Sequence, residues 1–159
     1  MSKMLVFDMD GTIADLYGVN GWLEMLRNED ALPYEIAKPL YNMDIMRELL
    51  NILKTMGYKI AVTTWLAKES SADYDEKVKK AKLDWLKKYN FPYDEIHLVS
   101  YGTLKETCTR EKADFQILFD DNKEVRESWT LGETFDANEN IFKKLVDLIA
   151  SMWYNKYNK

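Results

Sequence analysis

The chain has 159 residues, 47% of them hydrophobic, with 22 basic and 27 acidic side chains and a formal net charge of −5. This suits one globular domain with a sizeable core, and the acidic balance repels a nucleic-acid backbone, which argues against nucleic acid as a partner. The single Cys108 cannot form an internal disulfide, and no apolar run approaches a signal sequence or a membrane span, so the expected compartment is the cytoplasm, with no membrane partner.

Met4-Leu5-Val6-Phe7 is short, apolar and unalternated, the pattern of a strand covered on both faces in a parallel sheet. Asp8-Met9-Asp10-Gly11-Thr12 comes directly after it, with two carboxylates two residues apart on the lip of a glycine turn. From 16 to 41 the pattern weakens. Trp22, Leu23, Met25 and Leu26 indicate one short helix, Pro33 and Pro39 interrupt the residues after it, and the stretch reads as a small helical cap insert. Asn42 or Asp44 caps a helix with Ile45, Leu49, Ile52, Leu53 and Met56 inward, stopped by Gly57.

A second strand, Lys59 to Val62, ends in Thr63-Thr64-Trp65. Asp73, with Glu76 three residues on, starts a helix that carries Val78, Ala81, Leu83, Trp85 and Leu86 inward and six lysines as its wet face. After Pro92 comes a third strand, Glu95 to Val99, then Gly102 and Lys105 ahead of a short helix to Arg110. The fourth strand, Phe115 to Phe119, ends in Asp120-Asp121; a helix from Lys123 to Trp129, a fifth strand at Glu133 to Phe135 and a last helix from Asn138 complete the chain. His97 reads as a core or surface histidine and Cys108 as an idle thiol, neither as a catalyst.

Strands alternating with helices predict an α/β, Rossmann-like three-layer fold: a single domain over 1–159 with a parallel five-stranded sheet of order 5-4-1-2-3 and the insert after strand one. Ligands in such sheets bind beyond the carboxyl ends of the strands, where the strand order reverses. That places Asp8, Asp10, Asp120 and Asp121 in one crevice, with Thr63 and Lys105 on its other wall.

Clustered carboxylates repel one another unless a cation joins them, and Mg²⁺ takes a few hard oxygens from a protein and the rest from water and phosphate. Asp8, Asp120 and a backbone carbonyl near Asp10 suffice as metal ligands. An aspartate also attacks phosphorus, which assigns Asp8 as nucleophile and Asp10 as acid and base. Lys105, the Thr63 hydroxyl and the backbone amides of the turn around Met9 and Gly11 are the expected donors to phosphate oxygens. Lys112 rivals Lys105 as the phosphate-binding lysine, and Trp22 and Trp65 read equally as packing residues or as surfaces for a substrate base.

Taken in order, these motifs resemble those of the haloacid dehalogenase superfamily of phosphohydrolases: an Asp-x-Asp-Gly-Thr start, a strand ending in Thr63, a lysine, and a strand ending in two acids. Asp8 to Asp15, Thr63-Thr64, Lys82-Leu83-Asp84-Trp85-Leu86, Tyr101-Gly102-Thr103 and Asp120-Asp121-Asn122 with Trp129 are most similar to the 5′(3′)-deoxyribonucleotidase group and its small phage and bacterial relatives. The resemblance implies a Mg²⁺-dependent phosphomonoesterase working through an aspartyl phosphate on (deoxy)nucleoside monophosphates; a monomer and a homodimer are both compatible with it. It further implies Thr64 as a second phosphate contact, Asp120 as the metal ligand and Asp121 as the residue that supports it or orients the lysine. Two departures stand out: the insert is about 25 residues, the length of a long loop rather than a lid domain, and Trp65 stands where the group often has proline. The short insert keeps a sugar phosphate or a nucleic-acid 3′ end open as substrate, and a non-catalytic binding protein on the same scaffold is the remaining alternative.

Overall fold

Met4, Leu5, Val6 and Phe7 are each wholly buried, so the first apolar run is covered on both faces. In the computed structural model, which describes residues 1–158, the elements in chain order are β1 (Lys3–Phe7), β2 (Ala14–Asp15), a 3-10 turn at Leu16–Gly18, α1 (Trp22–Arg27), α2 (Leu32–Ile36), β3 (Lys38–Pro39), α3 (Met43–Thr55), β4 (Tyr58–Trp65), α4 (Ala72–Lys88), β5 (Glu95–Val99), α5 (Glu106–Thr109), β6 (Phe115–Asp120), α6 (Lys123–Ser128), β7 (Gly132–Asp136) and α7 (Ile141–Tyr157). The main sheet runs β5-β4-β1-β6-β7 and is parallel throughout. This is the expected 5-4-1-2-3 order read from the opposite edge. The chain lays β4 and β5 on one side of β1 and then crosses to the other, so the strand order reverses between β1 and β6.

Helices cover both faces, giving the three layers. On one side Leu5, Phe7, Ile60, Val62, Ile117 and Phe119 pack against α3, the C-terminal half of α4 and α7, with Phe7 stacked on Phe119 at 4.5 Å. On the other side Met4, Val6, Ala61 and Leu118 meet Val125 of α6 and Trp129. No helix among the described residues is long and apolar enough to cross a membrane.

Three local readings are corrected. α3 buries Met43, Met46, Leu50 and Leu53, while Ile45 and Ile52 are exposed. The helix carries two apolar stripes of equal spacing, and the one chosen begins at Met43, immediately after the Asn42 cap. Pro33 does not interrupt the insert; it occupies the first turn of α2, where a missing N–H costs nothing. Thr63 and Thr64 remain on β4, but Ser71 rather than Asp73 caps α4, and Leu83 faces out while Lys82 is buried.

The insert is tied down at both ends. β2 and β3 pair antiparallel, Ala14 with Pro39 and Asp15 with Lys38. Between them Leu16, Ala31 and Tyr34 form a satellite core with Leu66, Tyr74, Val78 and Ala81. The insert is thereby packed on the N-terminal half of α4, beside the carboxyl ends of β1 and β4.

Candidate active site

Asp8 continues β1 by one residue, its N–H donating to Phe119 O at 3.0 Å, and the chain then folds back on itself. The Met9 carbonyl accepts from the N–H groups of Thr12, Ile13 and Ala14, and Gly11 takes φ +78° with its N–H given to Ala14 O at 2.8 Å. The Gly11 amide is therefore used within the turn and not offered to a ligand. A methyl group at Gly11 would overlap the Asp121 carboxylate and the Tyr17 ring. Gly11→Ala is expected to weaken Mg²⁺ binding by about tenfold or more, since support of a metal ligand is worth roughly that much. It should also lower the Tm by a few degrees through about 1 kcal/mol or more of left-handed strain. Titration calorimetry with Mg²⁺ and a thermal melt check both; unchanged affinity would show that Asp121 has no part in holding the metal.

Lys105 stands just ahead of α5 and is 3% exposed. Its Nζ donates to Asp8 Oδ1 at 2.8 Å and to Asp120 Oδ2 at 2.7 Å, joining β1 to β6 across the switch point. Burial works against this ammonium, yet Asp8 and Asp120 outweigh it and hold its pKa above the ordinary lysine value. Asp120 Oδ1 accepts the Asn122 N–H at 2.9 Å. Lys112, the rival lysine, is exposed beside Asp114, away from these acids.

Asp8, Asp120 and Asp121 each present a carboxylate oxygen within 4.8 Å of the others. Burial first, and then the charge of Asp8, raise the pKa values of Asp120 and Asp121 above the ordinary carboxylate range. A hard divalent cation removes that repulsion, and an all-oxygen donor set is the one Mg²⁺ takes. The residues fit the ion. Asp121, expected only as a support, has its own carboxylate in this group.

The carboxylate of Asp10 keeps different company. Its Oδ2 accepts from Lys82 Nζ at 2.7 Å, and the same nitrogen donates to Thr64 Oγ1 at 2.7 Å and to the Trp65 carbonyl at 2.8 Å. Burial raises the Asp10 pKa, Lys82 opposes it, and Asp8 adds to the rise. Sequence reasoning misses Lys82, because it places every lysine of this helix on the wet face. The available signal is position: Lys82 falls four residues after Val78 and three before Trp85, on the apolar stripe of α4.

Thr63 sits level with Asp8, one step past the registered pair Phe7 and Val62, but its buried hydroxyl has no hydrogen-bond partner among the described residues. Thr64 is wholly buried, and its hydroxyl accepts from Lys82. Trp65 donates its indole N–H to Thr103 O at 2.8 Å and lies 5.1 Å from Lys105 Nζ. Met9 contributes its carbonyl to the turn and buries its side chain. Trp22 packs edge-on against Tyr17 at 5.0 Å.

Asp8, Asp10, Lys105, Asp120 and Asp121 floor a cleft of about 620 Å³, walled by Tyr17, Trp22, Leu26 and Tyr34 from the insert and by Trp65 and Tyr101 from the strand ends. That volume suits a small organic ligand. The structure brings Asp8, Asp10, Lys105, Asp120, Asp121, Trp65 and Trp22 to this cleft, and leaves Thr63, Thr64 and the Gly11 amide behind it.

No family model matches the sequence, and a comparison with curated proteins finds no match. Solved structures do match. The D,D-heptose 1,7-bisphosphate phosphatase of Burkholderia thailandensis superimposes with a TM-score of 0.55 at 13% identity, over 94% of this chain and 99% of that one. The HAD domain of effector protein Lem4 from Legionella pneumophila gives a TM-score of 0.51 at 13% identity, covering 94% of each chain. At these identities the likeness is one of fold.

Proposed function

We propose that the protein is a Mg²⁺-dependent phosphomonoesterase of the haloacid dehalogenase type, with a (deoxy)nucleoside monophosphate as substrate. The observation that carries this reading is the division among the acids. Asp8 lies within the Lys105 and Asp120–Asp121 cluster, while Asp10, two residues on, is held apart by Lys82 at the same cleft. Nucleophile and proton carrier need such different surroundings.

In this reading an Asp8 carboxylate oxygen attacks phosphorus, the bond from phosphorus to the ester oxygen breaks, and that oxygen leaves with a proton from Asp10. Asp10, now ionised, takes a proton from water; the water oxygen attacks phosphorus, the bond to Asp8 breaks, and inorganic phosphate departs. Lys105 holds Asp8 in place and supplies positive charge beside it. Asp8, Asp120 and Asp121 are the residues that would hold a Mg²⁺ ion, which would supply Lewis-acid stabilisation of charge on the phosphoryl group. The burial-raised pKa of Asp10 suits a group that must first give a proton.

The aromatic walls favour a planar group on the far side of the ester. Trp22→Ala is expected to raise KM for deoxynucleoside monophosphates by about tenfold, the worth of a modest base–aromatic stack, with kcat little changed. A sugar phosphate is the second reading, because the Burkholderia neighbour is a heptose bisphosphate phosphatase. Phosphate release measured over deoxynucleotides, ribonucleotides, sugar phosphates and a 3′-phosphorylated oligonucleotide separates them. A preference for sugar phosphates, with KM indifferent to Trp22→Ala, would replace the nucleotide assignment, and inactivity over the whole panel would leave a binding protein on this scaffold.

A further inference from the structure

Lys82 is only 1% exposed, although it lies on a helix whose other lysines face solvent. A buried ammonium is tolerated only if its charge is paired and its three N–H groups are all bonded. Here they are: one goes to Asp10 Oδ2, one to Thr64 Oγ1 and one to the Trp65 carbonyl. The Tyr34 ring of the insert covers it at 5.0 Å. One nitrogen thus joins the turn after β1, the end of β4 and the cap insert, and its stem is fixed in α4 between Val78 and Trp85, both buried.

For stability alone, a buried ion pair is commonly no better than an apolar pair of the same volume. What distinguishes this pair is its partner. Asp10 lines the cleft, and with Oδ2 bound to Lys82 its Oδ1 accepts no hydrogen bond among the described residues. One carboxylate oxygen is anchored and the other is left for the ester. Resting on the phosphatase reading above, we propose that Lys82 is the positioning residue for Asp10: it anchors Oδ2 from a rigid helix so that Oδ1 meets the leaving oxygen. Lys82 touches no reacting atom itself, and its loss misplaces the proton donor without removing it.

The readout is the leaving group. An alkyl alkoxide cannot depart unprotonated, whereas p-nitrophenolate needs little help, so a misplaced acid slows the first far more than the second. With Mg²⁺ present, Lys82→Met is expected to lower kcat/KM for alkyl phosphates by about 10²-fold while p-nitrophenyl phosphate changes by about threefold or less. In an Asp10→Asn background the same change should cost nothing further, because the two residues act as one unit. Should Lys82→Met fail to fold, Thr64→Val, which removes one of the groups holding the ammonium, is expected to tilt the series in the same direction. Equal losses across all leaving groups, or a further loss on top of Asp10→Asn, would mark Lys82 as structural and overturn the proposal. A wild-type chain inactive on every ester would instead overturn the phosphatase reading and this inference with it.

Discussion

Asp8→Asn is expected to reduce phosphate release by roughly 10³-fold or more, the scale on which a covalent nucleophile is missed. The amide keeps the shape of the carboxylate, so the turn after β1 and the contact to the Thr12 hydroxyl remain available. Lys105 retains Asp120 as a charged partner at 2.7 Å and is not stranded. What disappears is the anionic oxygen that attacks phosphorus. One stability consequence runs the other way: the Asp8 charge helps to raise the pKa values of Asp120 and Asp121, and neutralising it relieves that repulsion. In the absence of metal that relief offsets the lost charge pair with Lys105, and the variant should melt close to the wild type. Dead catalysis with a Tm close to that of the wild type identifies chemistry rather than folding as the loss, and full retention of activity would remove Asp8 from the nucleophile role.

The sequence carried the sheet because its central strands are buried on both faces and therefore announce themselves as unbroken apolar runs: Met4 to Phe7, Ile60 to Val62, Ile117 to Phe119. With the strands in that order the acids at their carboxyl ends converge, so Asp8, Asp10, Asp120 and Asp121 are legible as one crevice from strand ends and topology together. Side-chain engagement was not. Thr64 reads as a hydroxyl for phosphate until its partner Lys82 is seen, and Lys82 is invisible as long as residue type is allowed to override helical position. α3 shows a related ambiguity, since two stripes of identical period compete and periodicity cannot rank them. Gly11 illustrates a third cause: a turn glycine is easily located, but whether its N–H faces a ligand or closes the turn depends on Ala14, three residues on.

Removal of Mg²⁺ with EDTA is expected to abolish phosphate release, because Asp8, Asp120 and Asp121 then repel one another and any phosphate brought beside them. The same cluster makes a prediction that needs no substrate. Without metal, burial and mutual repulsion push Asp120 up to about 6 and Asp121 to about 7. These folded-state values lie above those of the unfolded chain, so between about pH 4 and pH 7 the folded protein binds more protons and its stability falls as pH rises through that window. Lys105 does not enter, since its raised pKa bears on stability only above the ordinary lysine value. A cation replaces the protons and reverses the penalty, so Mg²⁺ should raise the Tm more at about pH 8 than at about pH 5.5, where protons compete for the same oxygens. At a hundredfold excess over Kd the gain is about 2.7 kcal/mol, or roughly 5 to 10 °C for a chain of this length. Thermal melts with and without Mg²⁺ at the two pH values measure it, and an increment independent of pH would show that the ion binds elsewhere. Asp121→Asn sharpens the test: by removing the more strongly raised of these two carboxyls it should flatten the metal-free dependence and shrink the Mg²⁺ increment together, an outcome that separate sites for proton and metal would not produce.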